Sequence, residues 1–495
     1  MKRASRDRRP VRAAYGTLVM ALMLAACATA PDVRQPSLAS PDAALRSRAA
    51  AVANERSLLE EPAPAEWWQV FRDDTLTALQ AEASQSNLDL QAAVLRIEES
   101  RAQLGIVNAE RMPQVSAGAS YTRAGLSEHS PLVMLGAPTQ GTNIWSLGLQ
   151  ASWELDLWGH LRHLSESAEA RLQASGYGMA AVKVSVAGDV ARTYLLLRGV
   201  QAQSLIVEEN RQIAQNLVRM AESRQRNGVA TRFDAAAARA DVAGIEARLS
   251  QLQQERDVLM NALAFLLGKP PRELDERLAS AGLPTMPQRL PIGVPSELAR
   301  NRPDILQADA QLRAAVSDIG AAEADFYPRV SLTGNIGLAG TSLSDLGNWG
   351  SRLFSVGPSL YLPIFQGGRL KSNLALTEAR QRLAGIAYQQ TVLRAWHEVD
   401  DALSAYTTEL KRHEQLELAL AQNQTALDVA QRAYQQGTAD FTTVLVSRRS
   451  LLSSQAELND SATASALSVV ALYRALGGGW SPELRTAATP TGGAS

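Results

Sequence analysis

The chain has 495 residues with a formal net charge of −1, 46% hydrophobic and only 5% aromatic content, and a single cysteine. That length allows a large core or several subdomains. The near-neutral charge excludes a strong electrostatic footprint for nucleic acid, and one cysteine excludes an intrachain disulfide and any cysteine-based zinc site.

The first element is a leader. A basic stretch (Lys2, Arg3, Arg6, Arg8, Arg9, Arg12) precedes a short apolar run from Thr17 to Ala26. About ten apolar residues are too few to span a bilayer, and they suit residues 1–26 as a secretory signal. The run closes with Leu24-Ala25-Ala26-Cys27, which puts the one thiol where a lipoprotein signal is cut. Cys27 is the candidate acceptor of a diacylglycerol thioether, with its freed amine acylated in turn. An ordinary signal with a chance cysteine is the plainer alternative. Ala28 in place of aspartate after the cysteine favours sorting to the outer membrane. Two or three acyl chains give stable anchoring to its lipids. Residues 27–65, rich in Pro, Ala and Ser, read as an extended tether.

The body is written twice. Asn87-Leu88-Asp89-Leu90 aligns with Arg302-Pro303-Asp304-Ile305. At the same offset Gly105 meets Gly320, Pro113 meets Pro328 and Ser116 meets Ser331. A slightly shorter offset places Asn227-Gly228-Val229-Ala230 over Gln436-Gly437-Thr438-Ala439. A unit of roughly 200 residues is a duplicated domain, too long for a solenoid module. The first copy is assigned to 66–268 and the second to 301–480. Between them, 269–300 is a proline-rich linker, and 481–495 is a tail expected to be disordered.

Each copy predicts one helix of about 30 residues ending at a proline, two strands, a very long helix, a glycine turn and a final helix. The strands fall at about 113–125 and 143–157, then 328–340 and 352–365. In the second, Trp145, Leu147, Leu149, Ala151, Trp153 and Leu155 alternate with Ser146, Gly148, Gln150, Ser152 and Glu154. Period two with one apolar and one small-polar face suits the wall of a membrane barrel, and equally a half-buried sheet. The long helices, 160–227 and 369–436, contain no proline. Each would reach roughly 100 Å at 1.5 Å per residue. The helices that follow, 231–267 and 440–476, complete coiled-coil pairs, marked by seams such as Val242, Ile245, Leu249, Leu252, Leu259, Leu263 and Leu266.

Four strands cannot close a barrel, because known barrels start at about eight. An open edge in hydrocarbon leaves backbone groups unpaired at several kcal/mol each. The strands are therefore either not transmembrane or shared among copies, and three copies would supply twelve.

Several stretches carry a resemblance: Glu66-Trp67-Trp68, Asn87-Leu88-Asp89-Leu90, Trp153-Glu154-Leu155-Asp156-Leu157-Trp158-Gly159, Arg302-Pro303-Asp304-Ile305, Phe326-Tyr327-Pro328, Pro363-Ile364-Phe365-Gln366-Gly367-Gly368-Arg369 and Tyr473-Arg474-Ala475-Leu476-Gly477-Gly478-Gly479-Trp480. In this order the chain resembles the TolC-like outer-membrane efflux proteins, in their NodT-type lipoprotein branch. The resemblance implies a mainly α fold with a membrane β-barrel portion, in which trimerisation completes both barrel and helical tunnel. It implies the outer-membrane exit duct of a tripartite efflux pump, working with a periplasmic adaptor and an inner-membrane transporter, commonly of RND type. It implies no catalysis and no cofactor. In this family the tunnel closes at its periplasmic tip, where the turns at Gly228 and Gly437 should lie and touch the adaptor. Asp234, Asp440 and Phe441 are the gate candidates, though Thr443-Val444-Leu445-Val446 stands where acids often occur. All three suit plain capping and packing of a helix start as well.

Other chemistry finds little support. His160 and His163 have no accompanying metal-ligand pattern, so no metal site is assigned. Arg448-Arg449 reads as a solvated or tunnel-facing pair. A lipid-anchored periplasmic coiled-coil adaptor or scaffold, without a pore, is the runner-up function.

Overall fold

The computed structural model describes residues 58–59, 64–229, 231–285, 289–292 and 302–480. The signal, Cys27, most of the expected tether, part of the linker and the tail lie outside the described residues. Helices longer than two turns are α1 (Asp74–Ser86), α2 (Leu88–Ala109), α3 (His160–Arg226), α4 (Arg232–Leu266), α5 (Pro303–Ala324), α6 (Arg369–Gln435) and α7 (Phe441–Ala475), and a 3-10 turn at Trp67–Phe71 precedes them. Strands are β1 (Leu58–Leu59), β2 (Gln114–Ala124), β3 (Thr142–Leu155), β4 (Leu290–Pro291), β5 (Arg329–Gly340) and β6 (Arg352–Tyr361). The duplication is visible in lengths alone. α2 and α5 both have 22 residues, α3 and α6 both have 67, and α4 and α7 both have 35.

The chain divides into two compact units. The first gathers Glu98–Ala174 with Ala308–Tyr388, and the second gathers Ser175–Gln307, Gln389–Ser495 and the segment before Glu98.

In the first unit the sheet order is β2-β3-β5-β6, antiparallel throughout, so the two copies meet at β3 and β5. Val115, Ala151 and Gly334 share one row, and Tyr121 faces Trp145 with ring centroids 4.4 Å apart. Helix starts are fixed by the segment after β3. Asp156 accepts from the backbone N–H of Leu161 at 3.1 Å and of Arg162 at 2.7 Å, capping α3. The Trp158 indole donates to the Pro328 carbonyl at 2.7 Å and stacks on Tyr327 at 5.0 Å.

In the second unit the core joins α1, α3, α4, α6 and α7 around Trp67, Leu79, Tyr194, Leu263, Leu403 and Tyr473. Trp67 stacks on Tyr473 with centroids 5.3 Å apart. Tyr194 donates to Asp73 at 2.7 Å, and Arg198 donates to the Tyr194 oxygen at 3.0 Å. Burial and that carboxylate push the phenol up to about 12. The Arg302 guanidinium is buried and reaches Asp304 at 2.8 Å, Glu398 at 2.7 Å and the Ala475 carbonyl at 2.8 Å. Burial pulls its pKa down, but the two carboxylates outweigh that and hold it above its ordinary value.

Two expectations change. The single 30-residue helix of the first copy is two helices, because Asn87 breaks it. Its backbone is extended at φ −64° and ψ 127°. Its side chain accepts from Leu90 N–H at 3.0 Å and donates to the Leu266 carbonyl at 2.8 Å, acting as a cap and a tie at once. Within the expected tether, Leu58–Leu59 pairs in parallel with Leu290–Pro291, a contact too short to leave a periodic signal.

At Gly199, α3 packs tightly against Thr463 of α7. A Cβ built there would sit 2.4 Å from Thr463 Oγ1 and 2.9 Å from its Cγ2. Gly199→Ala is expected to destabilise the fold by about 1–3 kcal/mol through overpacking. Thr463→Ala in the same chain should recover most of that loss, measured as a double-mutant cycle by thermal melting.

Candidate functional sites

The sheet is the first candidate. Along β2, Val115, Ala117, Ala119 and Tyr121 pair with Ala151, Leu149, Leu147 and Trp145 of β3. The rows continue through Gly334, Ile336 and Leu338 of β5 to Val356 and Phe354 of β6. One face is therefore apolar across all four strands up to its loop end, where Arg123, Asn143 and Arg352 stand. It is exposed: Val115 67%, Leu149 51%, Ile336 62%, Phe354 76%. An apolar face this open is not the half-buried face of a water-soluble sheet. The opposite face carries Ser116, Gln150, Asn335 and Ser355 in one row and Gln114, Ser152, Thr333 and Gly357 in the next. β2 and β6 are edges with no neighbour among the described strands.

The second candidate is the pair of glycine turns. Gly228 sits at φ +74° between α3 and α4, and Gly437 at φ +76° between α6 and α7. Only glycine adopts this left-handed conformation freely, and it ends both helices alike. Val229 N–H returns to the Arg224 carbonyl at 2.9 Å, and Thr438 N–H to the Ala433 carbonyl at 2.9 Å.

The next helix starts differ. In the first copy Thr231 and Asp234 form a reciprocal capping box, with Thr231 N–H donating to Asp234 at 2.9 Å. In the second, Asp440 is the cap residue but its side chain makes no cap hydrogen bond, and it is exposed. Phe441 is 3% exposed and packs on Tyr434 at 5.4 Å, inside a core with Leu217, Ala221, Leu427 and Leu445. As a gate candidate it is turned into the helix bundle. Residues not singled out in the sequence stand at the surface instead: Val229 is 65% and Phe233 66% exposed. An apolar pair straddling a cap was the available signal.

Behind the turns, Arg448 corrects its reading as a solvated side chain. It is 3% exposed, donates to Asp241 at 3.0 Å, and also donates to the Asn210 carbonyl. It thereby ties α3, α4 and α7 together. Burial lowers its pKa, and Asp241 only partly opposes this. Arg449 is exposed and reaches the other oxygen of Asp241 at 3.4 Å. The two histidines serve packing. His160 lies 3.1 Å from the Ala321 carbonyl and 3.3 Å from Asp325, and His163 lies 2.9 Å from Glu166. Among the described residues no group of three metal-ligating side chains converges.

Breaking the buried pair from one side should be costly. Asp241→Ala is expected to destabilise the protein by about 3–5 kcal/mol, because it strands the Arg448 charge. The double change Asp241→Leu with Arg448→Met should restore most of the melting temperature.

The chain matches the Outer membrane efflux protein family over residues 79–269 and 294–478. It is 34% identical to Outer membrane protein OprJ of Pseudomonas aeruginosa, over 97% of this chain and 98% of that one. It is also 34% identical to the Toluene efflux pump outer membrane protein TtgI of Pseudomonas putida, over 93% of this chain and 97% of that one. The solved structure of the outer-membrane channel OprN superposes with a TM-score of 0.84 and 32% identity, covering 92% of this chain and 100% of that one. The chain belongs to the outer membrane efflux protein family.

Proposed function

We propose that the protein is the outer-membrane exit duct of a tripartite efflux pump, conducting small molecules passively to the exterior and catalysing nothing. The observation that carries this reading is the four-stranded sheet with one exposed face that is apolar from its helix-side end to its middle, and two edges unpaired among the described strands. Such a sheet is stable in hydrocarbon only when its edges find partners. Because strand direction alternates, β6 of one copy meets β2 of the next antiparallel. Three copies would close a twelve-stranded barrel, within the range of known sizes. The same trimer gathers the long helices into a tunnel. Partners are a periplasmic adaptor and an inner-membrane transporter, with RND type the first to test.

The turns at Gly228 and Gly437 are the adaptor contacts in this reading, with exposed Val229 and Phe233 adding apolar surface. Of the gate candidates, Asp440 is the most available, since Asp234 is committed to its capping box and Phe441 is buried. Cys27 anchors the chain to outer-membrane lipid as an auxiliary hold.

Purified from membranes, the protein is expected as a heat-resistant trimer that forms channels in planar bilayers. A monomer extracted without detergent would overturn the duct. Leu149→Arg, on the apolar face, should prevent trimer insertion at a cost of about 2–4 kcal/mol per copy. Gln150→Arg, one residue away on the polar face, should insert normally. In the same recordings Asp440→Asn should change single-channel conductance without lowering the melting temperature. Cys27→Ser should abolish incorporation of labelled palmitate while leaving the trimers in the outer membrane. Label retained in that variant would remove the lipidation assignment.

A further inference from the structure

The stretch Trp153 to Gly159 is dense with polar and aromatic groups, and nearly every one has a structural employment. The Trp153 indole donates to the Arg111 carbonyl at 2.9 Å. Asp156 caps α3, and Trp158 bonds Pro328. Gly159 takes φ +79° to enter the helix. Glu154 is different: its carboxylate makes no hydrogen bond or ion pair among the described residues.

Its position gives it a task. Glu154 lies on the polar face of β3, in the row that pairs it with Ser331 of β5 and, through Ser331, with Ser359 of β6. The next three rows on that face toward the strand middle hold only serine, threonine, glutamine, asparagine, glycine and, at its edge, Leu353, and the row on the other side is Arg329 with Tyr361. The nearest ionisable side chain on the face is Arg329, a diagonal neighbour at the strand end, and its guanidinium is taken by Asp325 at 2.5 Å. Within the four strands Glu154 is thus the one carboxylate on the polar face, and no cation partners it; Asp156, just past the end of β3, is held by the backbone N–H groups of Leu161 and Arg162.

We propose that Glu154 is the residue that selects for cations in the barrel of the duct. The inference rests on the trimeric barrel proposed above, in which three copies set three carboxylates at one level around the lumen. Twelve strands about 4.8 Å apart and tilted by about 40° give a backbone radius of about 12 Å, and a glutamate reaches inward to about 8 Å from the axis. The Debye length is about 10 Å at 0.1 M salt and about 3 Å at 1 M. The ring is therefore felt on the axis in dilute salt and screened in concentrated salt. Three charges at that distance in water enrich a monovalent cation on the axis about threefold at 0.1 M, and hardly at all at 1 M.

The test is the reversal potential of trimers in planar bilayers under a potassium chloride gradient. It is recorded in the full chain with tip acids Asp234 and Asp440 already changed to asparagine, so that the barrel dominates the reading. Glu154→Gln should lower the potassium-to-chloride permeability ratio by up to about tenfold near 0.1 M, because chloride is depleted as potassium is enriched, and by less than about twofold near 1 M. Glu154→Lys should turn the preference toward chloride. Trimers that conduct with the same ratio in both variants would overturn the inference and leave the duct standing. A parental chain that yields no trimer or channel would instead sink the barrel reading itself. If Glu154→Gln fails to form heat-resistant trimers, Glu154→Ser takes its place. Failure of both would assign the carboxylate to folding and overturn the inference.

Discussion

Unpaired backbone governs this protein. β2 and β6 each present a row of N–H and C=O groups with no strand beside them among the described residues, on a sheet with one exposed, mainly apolar face. In water, such edges are commonly masked by charge, proline or a covering loop. In hydrocarbon no masking suffices, and only closure satisfies the groups. The same demand explains why β3 and β5, one from each copy of the duplication, meet at the centre of the sheet. The gene duplication supplies two hairpins, and assembly has to supply the rest.

The helices answer a different constraint. A 67-residue helix cannot be held by propensity alone, because most helical stability in proteins comes from packing an apolar face. In α3 that face combines Val190, Leu195, Leu197 and Leu217 with alanines, and α4 adds alanines of its own. Ala187, Ala191, Ala221, Ala238 and Ala264 are all buried, and Gly199 lets Thr463 come within a distance that no side chain would tolerate. Close packing of alanines between leucines and valines lets a chain with 5% aromatic content build three separate hydrophobic clusters. Large side chains are concentrated where several helices converge, at Trp67, Tyr194, Tyr406 and Tyr473. The buried Arg302 and Arg448 then fix register at two levels of the second unit by reaching carboxylates and carbonyls on neighbouring helices.

Much of this was legible in the sequence because its signals are periodic or repeated. Alternation over Trp145–Leu155 announced β3, and the absence of proline over 160–227 announced α3. The matched lengths of the two copies followed from aligning Asp89 with Asp304. What escaped was set by single tertiary contacts. Asn87 breaks a helix because Leu266 is there to accept its amide, and nothing in Asn-Leu-Asp-Leu announces that partner. Arg448 beside Arg449 looked solvated because adjacent positions on a helix point different ways, and one of them met Asp241. Phe441 and Phe233 both sit in the first turn after a glycine, yet one turns in toward Tyr434 and the other out to solvent. Composition alone does not separate them.

That last contrast has a consequence for symmetry. The two halves share helix lengths, glycine geometry and carbonyl returns, but their exposed chemistry has drifted apart. The Gly228 turn shows valine and phenylalanine behind a closed capping box, while the Gly437 turn shows a free aspartate and hides its aromatic ring. Around a threefold axis these surfaces would alternate, one greasy and one acidic. A docking protein would then meet two unlike sockets, and a bundle of identical hairpins seated on them would have to adopt two modes of grip or leave every other socket empty.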